Sequence, residues 1–175
     1  MQAIQQLFDI IFRKRSVSDL NYDPSIALVG AAVLIASGAF ANSLSGAFES
    51  PLWITFVQYF INTGLLVGLL FLYQKGNRAV QVLSALYGTT AILQCIAIST
   101  QLVPLLGLIS VIATLWSFVI SVLILKEGLE SSGIMALLWT LSVSAATILI
   151  MMELSSEYAT FISDMIEAMQ SAASD

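Results

Sequence analysis

The chain has 175 residues, 58% of them apolar and only 10% charged, where soluble domains run at roughly 45–50% apolar and about 25% charged. With a mean hydropathy of +0.93, a globule of this size has too little interior to hide its apolar surface from water. The net charge of −5 and a pI near 4.4 leave no basic face for a nucleic acid. The single cysteine, Cys95, allows no intramolecular disulfide, and there is no histidine to serve as general base or metal ligand.

The first element is an amphipathic stretch. Ile4, Leu7, Phe8 and Ile11 fall at i, i+3, i+4 and i+7 and make one apolar helical face. Arg13, Lys14 and Arg15 follow, which predicts an interfacial helix with its cations at anionic lipid headgroups. The basic triplet, the apolar run from Ile26 and Ala39-Phe40-Ala41 resemble the three regions of a cleavable signal. The apolar run continues past that point, so an uncleaved first span is expected.

Five stretches then reach the length of about 20 apolar residues that a helical crossing needs. They run from Ser25 or Ile26 to Phe48, Leu52 to Tyr73, Ala79 to Ile98, Leu102 to Leu125 and Gly133 to Met152. Turn signals separate them at Ser50-Pro51, Lys75 to Arg78, Ser99 to Gln101 and Lys126 to Ser132. Unbroken runs such as Ile148 to Met152 exclude the alternation of a membrane barrel. Short connections predict that successive helices are antiparallel neighbours. The third span carries Gln81, Ser84, Thr89, Thr90 and Gln94. It reads as a crossing buried among other helices, with a re-entrant segment as the alternative.

The expected fold is therefore an all-α membrane protein, a bundle of five transmembrane helices with amphipathic helices at both ends. Residues 1–24 form a cytoplasmic segment with a basic cluster, 25–152 the five-span domain, and 153–175 an acidic amphipathic tail. In a five-span arrangement all six basic residues, Arg13, Lys14, Arg15, Lys75, Arg78 and Lys126, fall on one side. The positive-inside rule then predicts a protein of the cell inner membrane, with a cytoplasmic amino terminus and a periplasmic carboxyl terminus. In the tail, Tyr158, Phe161, Ile162, Met165, Ile166 and Met169 form an apolar stripe flanked by Glu157, Asp164 and Glu167. Anionic lipid repels such a helix, so it is expected to dock on protein, either its own outer loops or a partner.

No Asp, Glu, Lys, Arg or His lies inside any span, so the intramembrane ionisable groups of ion-coupled transporters and pumps are missing. Glu127 and Glu130 read as a solvated loop face beside Lys126. Asn42, Gln58, Asn62, Gln81, Thr89, Thr90, Gln94, Thr114 and Ser117 either line a small-molecule path or bond helix to helix. Small-residue pairs at Gly64 and Gly68, Ser84 and Gly88, and Ser117 and Ser121 are candidate sites of close helix packing. Phosphate-cradling loops, nucleophile elbows and metalloprotease motifs are absent. No catalytic residue, metal or cofactor is expected.

Several segments resemble small bacterial membrane proteins of the Yip-like family. They are Phe12-Arg13 leading to Asp19-Leu20 and Pro24-Ser25; Arg78 and Gln81 with Leu83-Ser84-Ala85-Leu86 and Gly88-Thr89; and Trp116 through Ile124-Leu125 to Leu129-Glu130 and Gly133. The resemblance spans roughly residues 7 to 150 and implies a five-helix bundle with a cytosolic amino terminus. Eukaryotic Yip proteins contact Rab GTPases in membrane trafficking. This chain has Asp19-Leu20-Asn21-Tyr22-Asp23-Pro24 in place of their Asp-Leu-Tyr-Gly-Pro motif, so a Rab contact is not implied. It also has Lys126-Glu127 where bacterial relatives often carry a basic, His-containing stretch.

Two functions remain in view. One is a non-enzymatic scaffold or accessory subunit of a larger membrane assembly, whose partners are the bilayer, other membrane subunits or a second copy. The other is a transporter or channel-like protein for a small uncharged solute. A polar cavity lined by Asn62, Gln94 and Thr89 favours the second, and a dry bundle the first.

Overall fold

The structure is a computed structural model that describes residues 2–20, 23–46, 48–101 and 107–174. Seven helices are described: α1 (Gln2–Ile11), α2 (Pro24–Ser45), α3 (Pro51–Leu72), α4 (Ala79–Gln101), α5 (Gly107–Leu129), α6 (Gly133–Leu154) and α7 (Ser156–Ser174). Short 3-10 turns at Val17–Asp19 and Gly76–Arg78 join them. Five of the helices, α2 to α6, are long and apolar enough to cross a membrane. The chain is a multi-pass, all-α membrane protein, as its composition predicts.

Helix starts follow local chemistry. Asp23 caps α2 by accepting from the Ser25 N–H at 2.9 Å, with Pro24 at the first helical position. Ser132 caps α6 by accepting from the Met135 N–H at 3.3 Å. At one end of the bundle, α1, α3 and α5 each close with paired 6→1 and 5→2 bonds. Lys14, Lys75 and Ser131 N–H donate to the carbonyls of Asp9, Leu70 and Lys126. The left-handed residues of those turns are Arg13, Gln74 and Glu130, with φ of 57°, 57° and 51°.

These closures move two predicted boundaries. Lys126 and Glu127, expected in a loop, form the last turn of α5. Ser99 to Gln101, expected as a turn, continue α4, where the Ser99 and Thr100 hydroxyls bond to the carbonyls of Cys95 and Ala97. The first five residues of the predicted fourth span, 102–106, lie outside the described residues.

The spans form a ring. α4 packs between α2 and α5, α3 packs on α2, α6 on α5, and α3 meets α6 to close the circuit. Successive spans are thus neighbours with one exception, since α3 and α4 meet little along their length. Two phenols stand between them. The Tyr59 and Tyr87 rings meet edge to face at 6.4 Å, and the Thr63 and Tyr87 hydroxyls are hydrogen-bonded. Elsewhere backbones approach closely. A Cβ on Gly30 would lie 2.8 Å from the Tyr87 carbonyl carbon, and one on Gly128 would lie 2.5 Å from Val82 Cγ2.

The most polar span is the most enclosed. More than half of the apolar window of α4 is buried (56%), against 11% for α2. It is a continuous helix of 23 residues rather than a re-entrant turn. Its polar groups are tolerated because they face protein and not lipid.

α1 lies across the bundle as a strap, and it buries one edge of the predicted apolar face, Leu7 and Ile11, together with Ile10. Ile4, Phe8 and Phe12 are exposed. Gly88 supplies the reason, because its missing side chain leaves the notch that Leu7 fills: a Cβ there would lie 2.7 Å from the leucine methyls. Trp116 Nε1 fixes the strap's end by donating to the Ile11 carbonyl at 3.2 Å.

Candidate functional site

The three cation-bearing segments meet at one end of the bundle. The Glu127 carboxylate accepts from Ser16 Oγ and the Val17 N–H, both at 2.7 Å, and holds the Val17–Asp19 turn onto α5. Glu130 pairs with Lys75 and, at 2.7 Å, with Arg78, which ties the α3–α4 turn to the α5–α6 turn. The hydrogen bond and charge of Lys75, with Arg78 beside it, hold the Glu130 carboxyl below its ordinary value of 4.5. Both glutamates are exposed, as a solvated face is, and each also joins segments far apart in the chain. Behind this cap lies a dry core, with Leu70, Val82, Ile124 and Leu125 almost wholly buried.

The other half of the ring is different. A cavity of about 310 Å³ is lined by Leu34 of α2, Gln58, Tyr59 and Asn62 of α3, Leu86, Tyr87 and Thr90 of α4, Ser121 of α5, Ser144, Thr147 and Ile148 of α6, and Tyr158 of α7. Every spanning helix contributes. Asn62 lies 11 residues into α3, which at the helical rise is about 16 Å, near mid-span. Thr90 and Ser144 sit near the middles of α4 and α6 by the same count. The cavity thus reaches from the α7 end to the middle of the bundle and stops at the packed half.

Its polar groups are all neutral. Tyr59 OH donates to Gln94 Oε1 at 3.3 Å, and Asn62 Nδ2 donates to Thr147 Oγ1 at 3.4 Å. Thr147 in turn donates to the Val143 carbonyl at 2.8 Å. Among the described residues, the side chains of Gln58, Thr90 and Ser144 make no hydrogen bond to protein, which leaves amide and hydroxyl groups open to the space. Such groups offer both donors and acceptors. On the α6 flank Ser144 and Ile148 are exposed, so the cavity is open on that side.

The predicted path residues divide. Asn62, Gln58 and Thr90 line the cavity, and Gln94 stands behind Tyr59. Thr89 is fully buried and bonds to its own helix at the Ala85 carbonyl. Asn42 Nδ2 donates to Thr55 Oγ1 at 2.9 Å, Gln81 Nε2 to the Leu20 carbonyl at 3.2 Å, and Thr114 Oγ1 to the Ser110 carbonyl at 2.9 Å. Tyr59, Tyr87, Ser144 and Thr147 were missed. Their signal was present as polar pairs spaced i, i+3 on three spans: Tyr59 and Asn62, Tyr87 and Thr90, Ser144 and Thr147.

The small-residue pairs also divide. Ser84 is fully buried, with its hydroxyl on the Asp23 carbonyl at 3.2 Å, and Gly88 lies under Leu7. Ser121 donates to the Ser117 carbonyl at 2.9 Å, and both are half-buried. Gly64 and Gly68 are exposed, and a Cβ on either would meet nothing within 4 Å in this chain. Arg13, Lys14 and Arg15 are exposed beside the strap, and Arg15 Nε lies 3.4 Å from the Asp9 carboxylate.

Along the tail, Tyr158 is buried and Phe161 and Ile162 are half-buried beside Phe48 and Met151. Phe48 stacks on Tyr158 at 6.1 Å and meets Phe161 at 5.2 Å. Burial pushes the Tyr158 phenol above its usual value. Met165, Ile166 and Met169 are exposed.

The chain matches no family model, no curated protein and no solved structure.

Proposed function

We propose that this chain is a non-enzymatic membrane protein that takes a small uncharged polar solute into the bundle and passes it across the bilayer. The observation that carries this reading is the neutral polar cavity at mid-span, lined by all five spanning helices. Solute sites of transporters lie near the bilayer midplane between helices, and pockets of about 300 Å³ and above suit small molecules. Cavity amides and hydroxyls can replace the water of a hydroxylated or amide solute, and no charge is present to hold an ion. Such passage draws on no proton gradient, since no carboxylate, amine or imidazole is among the lining residues.

Swelling of proteoliposomes in glycerol tests it. Glycerol entry above that of protein-free vesicles is expected, independent of a pH gradient, and lowered by Asn62→Leu and Thr90→Val. Entry equal to that of empty vesicles sinks the reading, and uptake that requires a pH gradient sinks its uncoupled form. In cells we place the cation-bearing end in the cytoplasm and α7 on the outer face of an inner membrane, on the charge distribution. The likeness to Yip-like bundles agrees with that orientation.

A second reading, as an accessory subunit, is favoured by the exposed Met165, Ile166 and Met169 of α7. Methionines suit an adaptable protein interface. Mild-detergent purification that brings down a larger subunit in fixed proportion supports it; purification of the chain alone, with solute passage intact, removes it.

A further inference from the structure

The cavity has a packed floor and one protein-covered end. The floor is the dry core around Leu70 and Ile124. At the covered end α7 contributes one lining residue, Tyr158, which is 7% exposed. α7 is not a continuation of α6. The helices are separated at Ser155, whose backbone is extended at φ −141° and ψ 114°. Its N–H still donates to the Met151 carbonyl at 2.9 Å, and its Oγ accepts from the Tyr158 N–H at 3.2 Å. One residue therefore forms the joint, and both helices are complete on either side of it.

We propose that Tyr158 is the movable cover of the cavity and that α7 is the arm that swings it about Ser155. The proposal rests on the cavity being the solute site. The arm is held over its first two turns, where Tyr158 is buried with Phe48, Ile54 and Met151, and Phe161 and Ile162 pack beside them. Phe48 stacks on the Tyr158 ring, Phe161 meets Phe48 at a tilt, and Glu157 accepts from the Glu49 N–H at 3.3 Å. From Ser163 to Ala172 the arm is exposed. Elements that move to admit ligands are drawn from such sparsely anchored regions. Tyr158 suits the task, because its apolar ring seals against Phe48 while its hydroxyl edge tolerates the polar space below.

The test reads access to the cavity and does not require solute passage. A Cys95→Ser chain carrying Thr90→Cys is placed in nanodiscs, and the rate of modification by a small water-soluble methanethiosulfonate is measured. A closed cover leaves a minor open population of at most about 10%, so removing it raises the rate by about tenfold or more. Tyr158→Ala and Phe48→Ala are expected to give that rise in monodisperse protein, and Tyr158→Phe, which keeps the ring, to stay near the parent rate. An unchanged rate in Tyr158→Ala overturns the proposal, as does an equal rise in Tyr158→Phe. Should glycerol fail to cross while this pattern holds, the cover stands and the transport reading falls.

Discussion

The two halves of this bundle are made from the same five helices and are built in opposite ways. At the cation-bearing end, leucines, isoleucines and valines interdigitate, glycines bring backbones together, and Glu127 and Glu130 tie the connecting segments across the top. At the α7 end the helices line a cavity with phenols, amides and hydroxyls, and a cluster of Phe48, Ile54, Met151 and Tyr158, with Phe161 beside it, lies at its end. The difference teaches where the stability resides. In lipid, association gains little from excluding water, so close packing and shape decide it. The dense half holds the ring together, and the sparse half is free to carry a space that contributes nothing to stability.

The largest expected effect comes from hollowing the dense half. Leu70 is fully buried, and Leu70→Ala should cost about 2 kcal/mol. That is the low end of the range for cores, because lipid rather than water surrounds the unpacked helices. Asn62→Leu in the sparse half keeps a similar volume and loses one long hydrogen bond, so it should change stability by less than about 1 kcal/mol. Reversible unfolding in mixed micelles compares the two. Equal losses would mean that the halves do not differ in this way.

Overfilling the dense half comes next. A methyl on Gly30 would meet the α4 backbone, at the Tyr87 carbonyl carbon and the Gly88 nitrogen, 2.8 and 2.9 Å away. Backbone cannot turn aside as a flexible side chain does. Gly30→Ala should therefore cost about 1–3 kcal/mol, more than Gly88→Ala, whose methyl meets only the tip of Leu7. The same unfolding measurement ranks them, and a reversed order would show α2 and α4 to be more loosely seated than their geometry implies.

How much of this was legible in the sequence follows from the same contrast. Five helical spans and one cation-bearing end were readable because apolar length and charge placement are local properties. The tail's contact with a loop of its own chain was one of two outcomes anticipated, and Phe48 is what it meets through Tyr158, Phe161 and Ile162. The ring order was not readable. Loop length implied that α3 packs on α4, whereas the Tyr59 and Tyr87 rings hold them apart. The cavity was half readable: Asn62 and Thr90 were named, but their i−3 partners were passed over because tyrosine was counted as apolar. Glu127 and Glu130 are exposed as expected, but their bonds were not readable because the partners lie 110 and 55 residues away.

A smaller effect concerns the polar cap over the dense half. Hydrogen bonding and charge at Lys75, with Arg78, lower Glu130 from its ordinary value of 4.5. A lowered carboxyl stabilises the folded state above that ordinary value, and the contribution disappears as pH falls through the lowered one. Ser25 lowers Asp23 from 3.8 in the same sense, through its hydroxyl and its N–H. Acidification below 4.5 should therefore loosen the Gly76–Arg78 turn, seen as faster amide exchange there after correction for intrinsic rates. Glu130→Gln should abolish that pH dependence. No carboxylate is among the residues that line the cavity of the sparse half, so exchange around it should not change over this window; a parallel rise there would show that the two halves open together.

The smallest effect belongs to a pair that sits on neither interior. Gly64 and Gly68 are exposed on α3, and an added Cβ on either has nothing within 4 Å to strike. Glycine inside a helix is worse than alanine by roughly 0.5–1 kcal/mol through backbone entropy. A helix already held in lipid has less of that entropy to lose, so the gain should shrink to a few tenths of a kcal/mol. Gly64→Ala with Gly68→Ala should therefore leave the unfolding of the single chain unchanged or slightly improved. If a second copy packs there, the methyls would separate two backbones that small residues allow to touch. Energy transfer between labelled copies in vesicles then falls on substitution while single-chain stability does not. Unchanged transfer, together with unchanged stability, would assign the pair to a face that meets only lipid. A loss of single-chain stability would instead show that α3 presses on another helix of its own bundle, contrary to the open space beside it.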